Sequence, residues 1–359
     1  MKPSGIGGQA VIEGVMMRNR EAYAVAVRTQ DKKIEIDKGN FHTLGSENKF
    51  LKIPVIRGVL AFVDSLRLGM KTLTFSASFF EEEEEKNPRN EKKESILMGI
   101  TMVLAVVIAV GIFILLPFFI SNLLSRVISS AALRGLIEGV IRVALFVGYV
   151  KIISRMEDIR RVFMYHGAEH KTINCVENGL NLTVENIRRQ SRVHKRCGTS
   201  FLLFVMLISI LFFMFIVVDS LWIRMVLRIV LIPVIAGVAY EFIKLAGRSE
   251  SKVIGVLSKP GLWLQGLTTK EPDDDMIEVA IASVEAVFDW RAFLAEDNSS
   301  IEAATEVETE EPSVSYKSDI TKADDGIEII SVEESEEDDA ILKALDRYFE
   351  DPVKKGTKE

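Results

Sequence analysis

Long apolar stretches separated by densely charged segments predict an α-helical membrane protein of about four transmembrane helices. Short alternating segments ahead of the first apolar stretch add a small cytoplasmic α+β portion that opens with an antiparallel β meander. A Ser-, Thr- and Glu-rich end, poor in aromatics, adds a disordered acidic tail. Hydrophobic residues make up 48% of the 359 and charged residues 26%. That pairing arises when oily and very polar segments alternate along one chain. Much of the acid behind the net charge of −7 lies in the tail. No basic stripe with interleaved aromatics exists, so nucleic acid is not an expected partner.

Five segments follow from this patterning: a cytoplasmic β unit (1–50), an amphipathic helix with a charged linker (51–95), a four-helix membrane domain (96–250), a cytoplasmic α segment (251–295) and the tail (296–359). In the first, GQAVIEGVMMRN is apolar, EAYAVAVRT alternates strictly, and KKIEID alternates again after a turn at Gln30-Asp31. The N-terminus lacks the unbroken apolar core of a secretory signal, so this segment is expected to stay cytoplasmic. After Pro54 an apolar face with Val55, Val59, Phe62, Val63, Leu66 and Met70 predicts a helix, which Arg57, Asp64, Arg67 and Lys71 keep from being a full span.

The expected spans are Ile96–Ile120, Leu136–Ile153, Phe201–Val218 and Met225–Ala246. The first carries no charge over about 25 residues, enough to cross a hydrocarbon core of about 30 Å. The second contains Glu138 and Arg142, four residues apart and able to pair on one face. The fourth contains Pro233, a natural kink, and Glu241 near its end. Lys and Arg concentrate before the first span, in the loop 154–199 and after the fourth, which predicts both termini inside. The KPGLWLQGLTTKEPDDD stretch reads as irregular and MIEVAIASVEAVFDW as a helix with Ile277, Ala280 and Val284 on one stripe. Within the tail, DDAILKALDRYFEDP has the pattern of an amphipathic helix. No span shows the buried charge chain or broken-helix pair expected of a transporter.

Three of the four histidines and both cysteines fall between His166 and Cys197. These are the side chains that hold transition metals. His166 and His170 stand one helical turn apart, so both imidazoles leave the same face. Glu169 lies on that side too, as a general base for a metal-bound water or as a ligand. The order H-x-x-E-H is the one used by inverzincin peptidases. After a helix stop at Asn178-Gly179, a second helix is expected near Thr183, and the chain returns with His194-Lys195-Arg196-Cys197. His194, Cys197 or Cys175 would complete a Zn²⁺ shell. The competing reading makes the histidines surface residues of a basic helix and Cys175 a small buried hydrophobe. Two minor features are a Gly5-Gly7-Gly8 cluster, read as a turn, and Glu13, a carboxylate in an apolar run that needs a partner.

Together GGQAVIEGVMMR, YHGAEHKTIN, HKRCGTSF, AYEFIKLAGR and KPGLWLQGLTTKEP resemble the bacterial YqhQ-like membrane proteins, a family of unknown function. The resemblance covers about residues 5–290 and leaves out the tail. It implies a bacterial cytoplasmic membrane location. The label of metal-dependent enzyme that such proteins carry falls here on His166, Glu169, His170, His194 and Cys197. It supplies no substrate.

The resulting expectation is a membrane-anchored, zinc-dependent enzyme of hydrolase or peptidase type, working on the cytoplasmic face. Its substrate would be lipid-linked or a membrane protein. The alternative is a non-enzymatic scaffold or regulator, with a structural metal or a basic docking loop turned to lipid or a cytosolic partner.

Overall fold

The computed structural model describes residues 3–44, 53–80, 91–194, 197–216, 220–246 and 252–296, together with Leu51 and Val218. The tail with its candidate helix, linker residues 81–90, and Lys195 and Arg196 lie outside the described residues. Described residues are mostly helical, with one N-terminal sheet.

The sheet has four antiparallel strands in sequential order: β1 (Ile6–Val11), β2 (Gly14–Asn19), β3 (Ala22–Arg28) and β4 (Ile34–Asn40). The first apolar run, expected as a single strand, is itself a hairpin. Glu13 takes a left-handed φ of 48° and turns the chain, so Ala10 pairs with Val15. Continuous apolarity across the turn conceals it in the sequence. At the expected Gln30-Asp31 turn, Lys32 adopts φ 63°.

Both faces of this sheet are covered. Val15, Met17 and Ala26 join a core with Tyr165, Ala168, Ile173, Ile277 and Ala280. Met16, Tyr23, Val25 and Val27 join a second core with Leu68, Phe75 and Phe79. An antiparallel sheet with one wet face alternates apolar and polar residues, whereas β2 and β3 are buried on both faces and the alternation of EAYAVAVRT is between small and large apolar side chains.

The first core is closed by α5 (Glu157–Glu177), α6 (Val184–Arg188) and α11 (Asp274–Glu285), and the second by α1 (Ile56–Ala77). Stop and start signals act as the sequence predicts. Asn178 caps α5, Gly179 follows at φ 75°, and Thr183 Oγ1 caps α6 by accepting from the Asn186 amide at 3.2 Å. The buried stripe of α1 is Gly58, Asp64, Leu68, Gly69, Thr72 and Ser76. Leu66 and Val63, part of the apolar face expected to lie against the bilayer or the protein core, are exposed. Small side chains let this helix lie close to its neighbours, and its larger apolar groups face outward.

The remaining helices are α2 (Glu91–Val110), α3 (Leu116–Leu123), α4 (Ala131–Ile153), α7 (Gly198–Met214), α8 (Leu221–Val230), α9 (Ile232–Ala246) and α10 (Lys252–Thr268). A π turn over Gly111–Leu115 joins α2 to α3, and Gly99–Arg126 forms one helix long and apolar enough to cross a membrane. The fourth expected span is broken into α8 and α9, bent by 42° just ahead of Pro233. α7 stops at Met214, and its 17 residues rise about 25 Å, short of a full bilayer core.

Two expectations are corrected. The KPGLWLQGLT stretch is the second half of α10, with Pro260 inside the helix. Gly261 abuts Ser200, and Leu264 packs with Leu203 and Met206, so apolar contact with α7 outweighs the proline. The segments expected as spans also do carry buried charge. Glu138 binds Arg142 at 2.8 Å and, from ninety residues away, Arg228 at 2.5 Å. A residue so distant in sequence is invisible to a reading of neighbouring positions.

Candidate metal centre

Helix α5 is pinned before it reaches the histidines. Arg161 forms a two-pronged pair with Glu13 of the β1–β2 turn, and Tyr165 donates to the same carboxylate at 3.3 Å. Glu13 thus has its partner in α5. Further along, Lys171 donates to the Arg188 carbonyl at 2.8 Å and pairs with Glu271. Asn174 donates to the Ser191 and Val193 carbonyls at 2.6 and 3.1 Å. These bonds draw the returning chain 188–194 along the face of α5 that carries the histidines.

Backbone carbonyls orient both imidazoles. His166 Nδ1 lies 2.9 Å from the Thr268 carbonyl, and His170 Nδ1 lies 2.7 Å from the Arg192 carbonyl. A carbonyl oxygen only accepts, so each Nδ1 carries the proton and each neutral ring keeps its lone pair on Nε2. His166 Nε2 faces Cys197 Sγ at 3.2 Å. His170 Nε2 is fully buried with no hydrogen-bond partner. The two rings are 4.4 Å apart between centroids. The ligand atoms of His166, His170 and Cys197 all lie within 4.8 Å of one another.

This set fits a zinc-type cation. Two donors on one tetrahedral zinc, at about 2.0 Å for nitrogen and 2.3 Å for sulfur, stand about 3.5 Å apart. A Nδ1–H bonded to a carbonyl is the usual way a ligating histidine is held. An orphaned buried nitrogen is costly in a folded protein unless something binds it.

Cys197 is positioned from the α7 side. It is the residue before α7, and its Sγ accepts from the Thr199 amide at 3.4 Å. Gln265 of α10 locks the adjoining strand of chain, accepting from the His194 amide at 2.9 Å and donating to the His194 carbonyl at 2.8 Å and Ser200 Oγ at 2.9 Å. His194 itself is brought alongside, its ring 5.8 Å from that of His170. Its Nε2 is turned to Glu177 Oε2 at 3.4 Å, outside the three-donor cluster. Cys175 is directed elsewhere, toward the Leu180 and Asn181 carbonyls, and burial pushes its thiol up to about 12.

Glu169 leaves the same helix toward β1 and also lies outside the three-donor cluster. It is buried and takes a hydrogen bond from the Gly8 backbone. Burial raises its carboxyl to about 7, opposed by the nearby His166 and by that hydrogen bond. A Cβ at Gly8 would sit 2.8 Å from Glu169 Cγ and 2.8 Å from the Met16 carbonyl. Gly8 is therefore a strand residue that makes room for this carboxylate, rather than part of a turn. Gly167 has a similar role: a Cβ there would overlap the Lys270 carbonyl oxygen. The α10–α11 connection thereby lies flush on α5, as the bond from the Lys270 amide to the Phe163 carbonyl at 2.8 Å requires.

Glu241 is outside the three-donor cluster and is occupied by a two-pronged pair with Arg57 of α1. The sequence reading missed Gly8, Gln265 and the Thr268 and Arg192 carbonyls. Of these only Gly8, a glycine in an otherwise apolar strand, left a signal.

Comparison with known proteins returns no solved structure that matches. A family model described as "Protein of unknown function (DUF1385)" matches residues 53–290. The uncharacterized protein YqhQ of Bacillus subtilis (strain 168) is 38% identical over 305 residues, which is 82% of this chain and 96% of that protein. With both the helical core and the histidine segment inside these matches, the chain belongs to the DUF1385 family, the YqhQ-like proteins of unknown function.

Proposed function

We propose that this chain is a multi-pass protein of the bacterial cytoplasmic membrane, both termini cytoplasmic, carrying a zinc centre of hydrolase type at the inner surface. One observation carries the metal reading: two imidazoles, each bonded through Nδ1 to a backbone carbonyl, gather with one thiol so that the three ligand atoms lie within 4.8 Å of one another. A membrane setting is supported by the apolar side chains along Gly99–Arg126, of which Val103 and Val107 are 63% and 61% exposed. The basic loop 154–199, which carries the site residues, supports its cytoplasmic placement.

His166, His170 and Cys197 are the ligands, and three protein ligands leave one position for water or substrate. A zinc ion bound there supplies an activated water and a Lewis acid. Glu169, buried next to His166 and held by Gly8, is the group that accepts and returns a proton. His194 and Glu177 form a buried pair behind His170. Because α5 and α7 both lead from the site into apolar helices, the substrate is lipid-linked or a membrane protein.

A second reading has its own support. The centre ties together α5, the 192–197 segment and the end of α10, as a structural staple would. Glu169→Gln distinguishes the two. The enzyme reading predicts a variant that retains zinc but fails to replace the wild-type gene in a deletion strain. A variant that retains zinc and complements fully would leave the staple.

A further inference from the structure

At the end of the bundle away from the histidines, the described residues enclose a cleft of about 160 Å³. Its location follows from the antiparallel packing of α4 on α7, where Gly135 lies against Met214 and Gly139 against Ile210. Since α7 starts at Cys197, its length puts the cleft about 25 Å from the metal centre. The walls that matter chemically are Ser121, Asn122, Arg134, Glu138, Arg224 and Arg228.

Three arginines thus line the cleft against one carboxylate among the described residues. That carboxylate is already shared. Glu138, 2% exposed, binds Arg228 at 2.5 and 3.1 Å and Arg142 at 2.8 Å, and the two arginines are 4% and 3% exposed. One positive charge in this buried triad has no counter-ion among the described residues. The aromatic faces of Phe118 and Phe213, 4.4 and 4.9 Å from the Arg228 guanidinium, relieve part of that deficit. Arg228 Nη1 is nevertheless buried with no hydrogen-bond partner, and so is Arg224 Nε. Charge buried this deeply is expensive unless it is paired. Unpaired donors gathered one turn apart on α8 are what a tetrahedral oxyanion satisfies, because guanidinium groups match phosphate oxygens.

We infer that this cleft binds a phosphate monoester or inorganic phosphate, a ligand whose charge of about −1.5 to −2 offsets the unpaired guanidinia. Phe215 stands between the lining residues Met214 and Ile216, and Trp222 two residues before Arg224; they are 82% and 71% exposed. Aromatic side chains so exposed suit the boundary between lipid and water, where a head group reaches the cleft. The proposal is independent of the metal centre and shares no residue with it.

The test uses the full chain solubilised in detergent. Native mass spectrometry with phosphatidic acid, against phosphatidylcholine, probes the head group, and calorimetric titration with inorganic phosphate probes the free anion. Binding of either probe, weakened about tenfold or more in Arg224→Gln, is the expected result, since a charge-assisted hydrogen bond is lost. Arg224 is the milder site, with a single 3.5 Å side-chain bond to Asn122. Arg228→Gln, if it folds, should weaken binding further. Phosphate alone binding identifies a solute site, and phosphatidic acid alone identifies a lipid site. The inference is overturned if neither probe binds, or if both variants bind as the wild type does.

Discussion

The two ends of the helical bundle present opposite inventories. At one, His166, His170 and Cys197 gather lone pairs, their N–H groups already spent on carbonyls. At the other, Arg224 and Arg228 gather N–H groups, while the carboxylate beside them, Glu138, is already shared by Arg228 and Arg142. A surplus of electron pairs calls for a cation, and a surplus of buried N–H calls for an anion. Counting what remains unpaired, and its sign, predicts the ligand class at each end without reference to any relative.

The comparison breaks first, and with the largest effect, at His170. His170→Ala should reduce bound zinc from about one equivalent to a trace, measured by plasma emission on purified protein, because two remaining donors do not hold the ion. Retention of full zinc would mean that the buried Nε2 has another purpose. At the opposite end, Glu138→Gln leaves two buried guanidinia with no carboxylate between them. A loss of about 3–5 kcal/mol is expected, read as a lower thermal midpoint in detergent. Added phosphate should restore part of it, which a purely structural triad would not do.

Gly167→Ala tests the support of the metal site without touching a ligand. Its methyl group would push the Lys270 carbonyl off α5 and move the neighbouring Thr268 carbonyl that holds His166. Zinc affinity should fall about 10–100-fold while the helix content stays unchanged. A variant with undiminished affinity would remove the Thr268 carbonyl from the account. The smallest effect belongs to Cys175. With its thiol held near 12 by burial, it should alkylate at pH 8 about a thousandfold more slowly than a free cysteine. Cys175→Ala should keep its zinc. Loss of zinc in that variant would require a ligand set other than the one described here.

Most of this arrangement was legible where chemistry is carried by residue identity. The apolar first span, the stop at Asn178-Gly179, the Thr183 cap and the crowding of His and Cys all come from side chains whose spacing states their role. What stayed hidden depends on the backbone or on distant pairing. The Thr268 and Arg192 carbonyls have no residue signature, since every residue offers one. Arg228 was counted as a residue of the fourth span, and nothing near it in sequence announces Glu138. The KPGLWLQGLT stretch reads as irregular from local pattern alone, because the packing of α10 on α7 that holds it helical lies outside the local sequence. Gly8 read as a turn because the carboxylate that needs its missing side chain is contributed by a helix more than a hundred residues later.

The central claim is that two imidazoles and one thiolate share a single ion. X-ray absorption at the zinc edge of the purified full chain tests it directly. The expected first shell has one sulfur at about 2.3 Å and imidazole nitrogens at about 2.0 Å, with the sulfur lost in Cys197→Ser. A zinc shell without sulfur, or protein that holds no stoichiometric zinc after purification in zinc-replete medium, would contradict it.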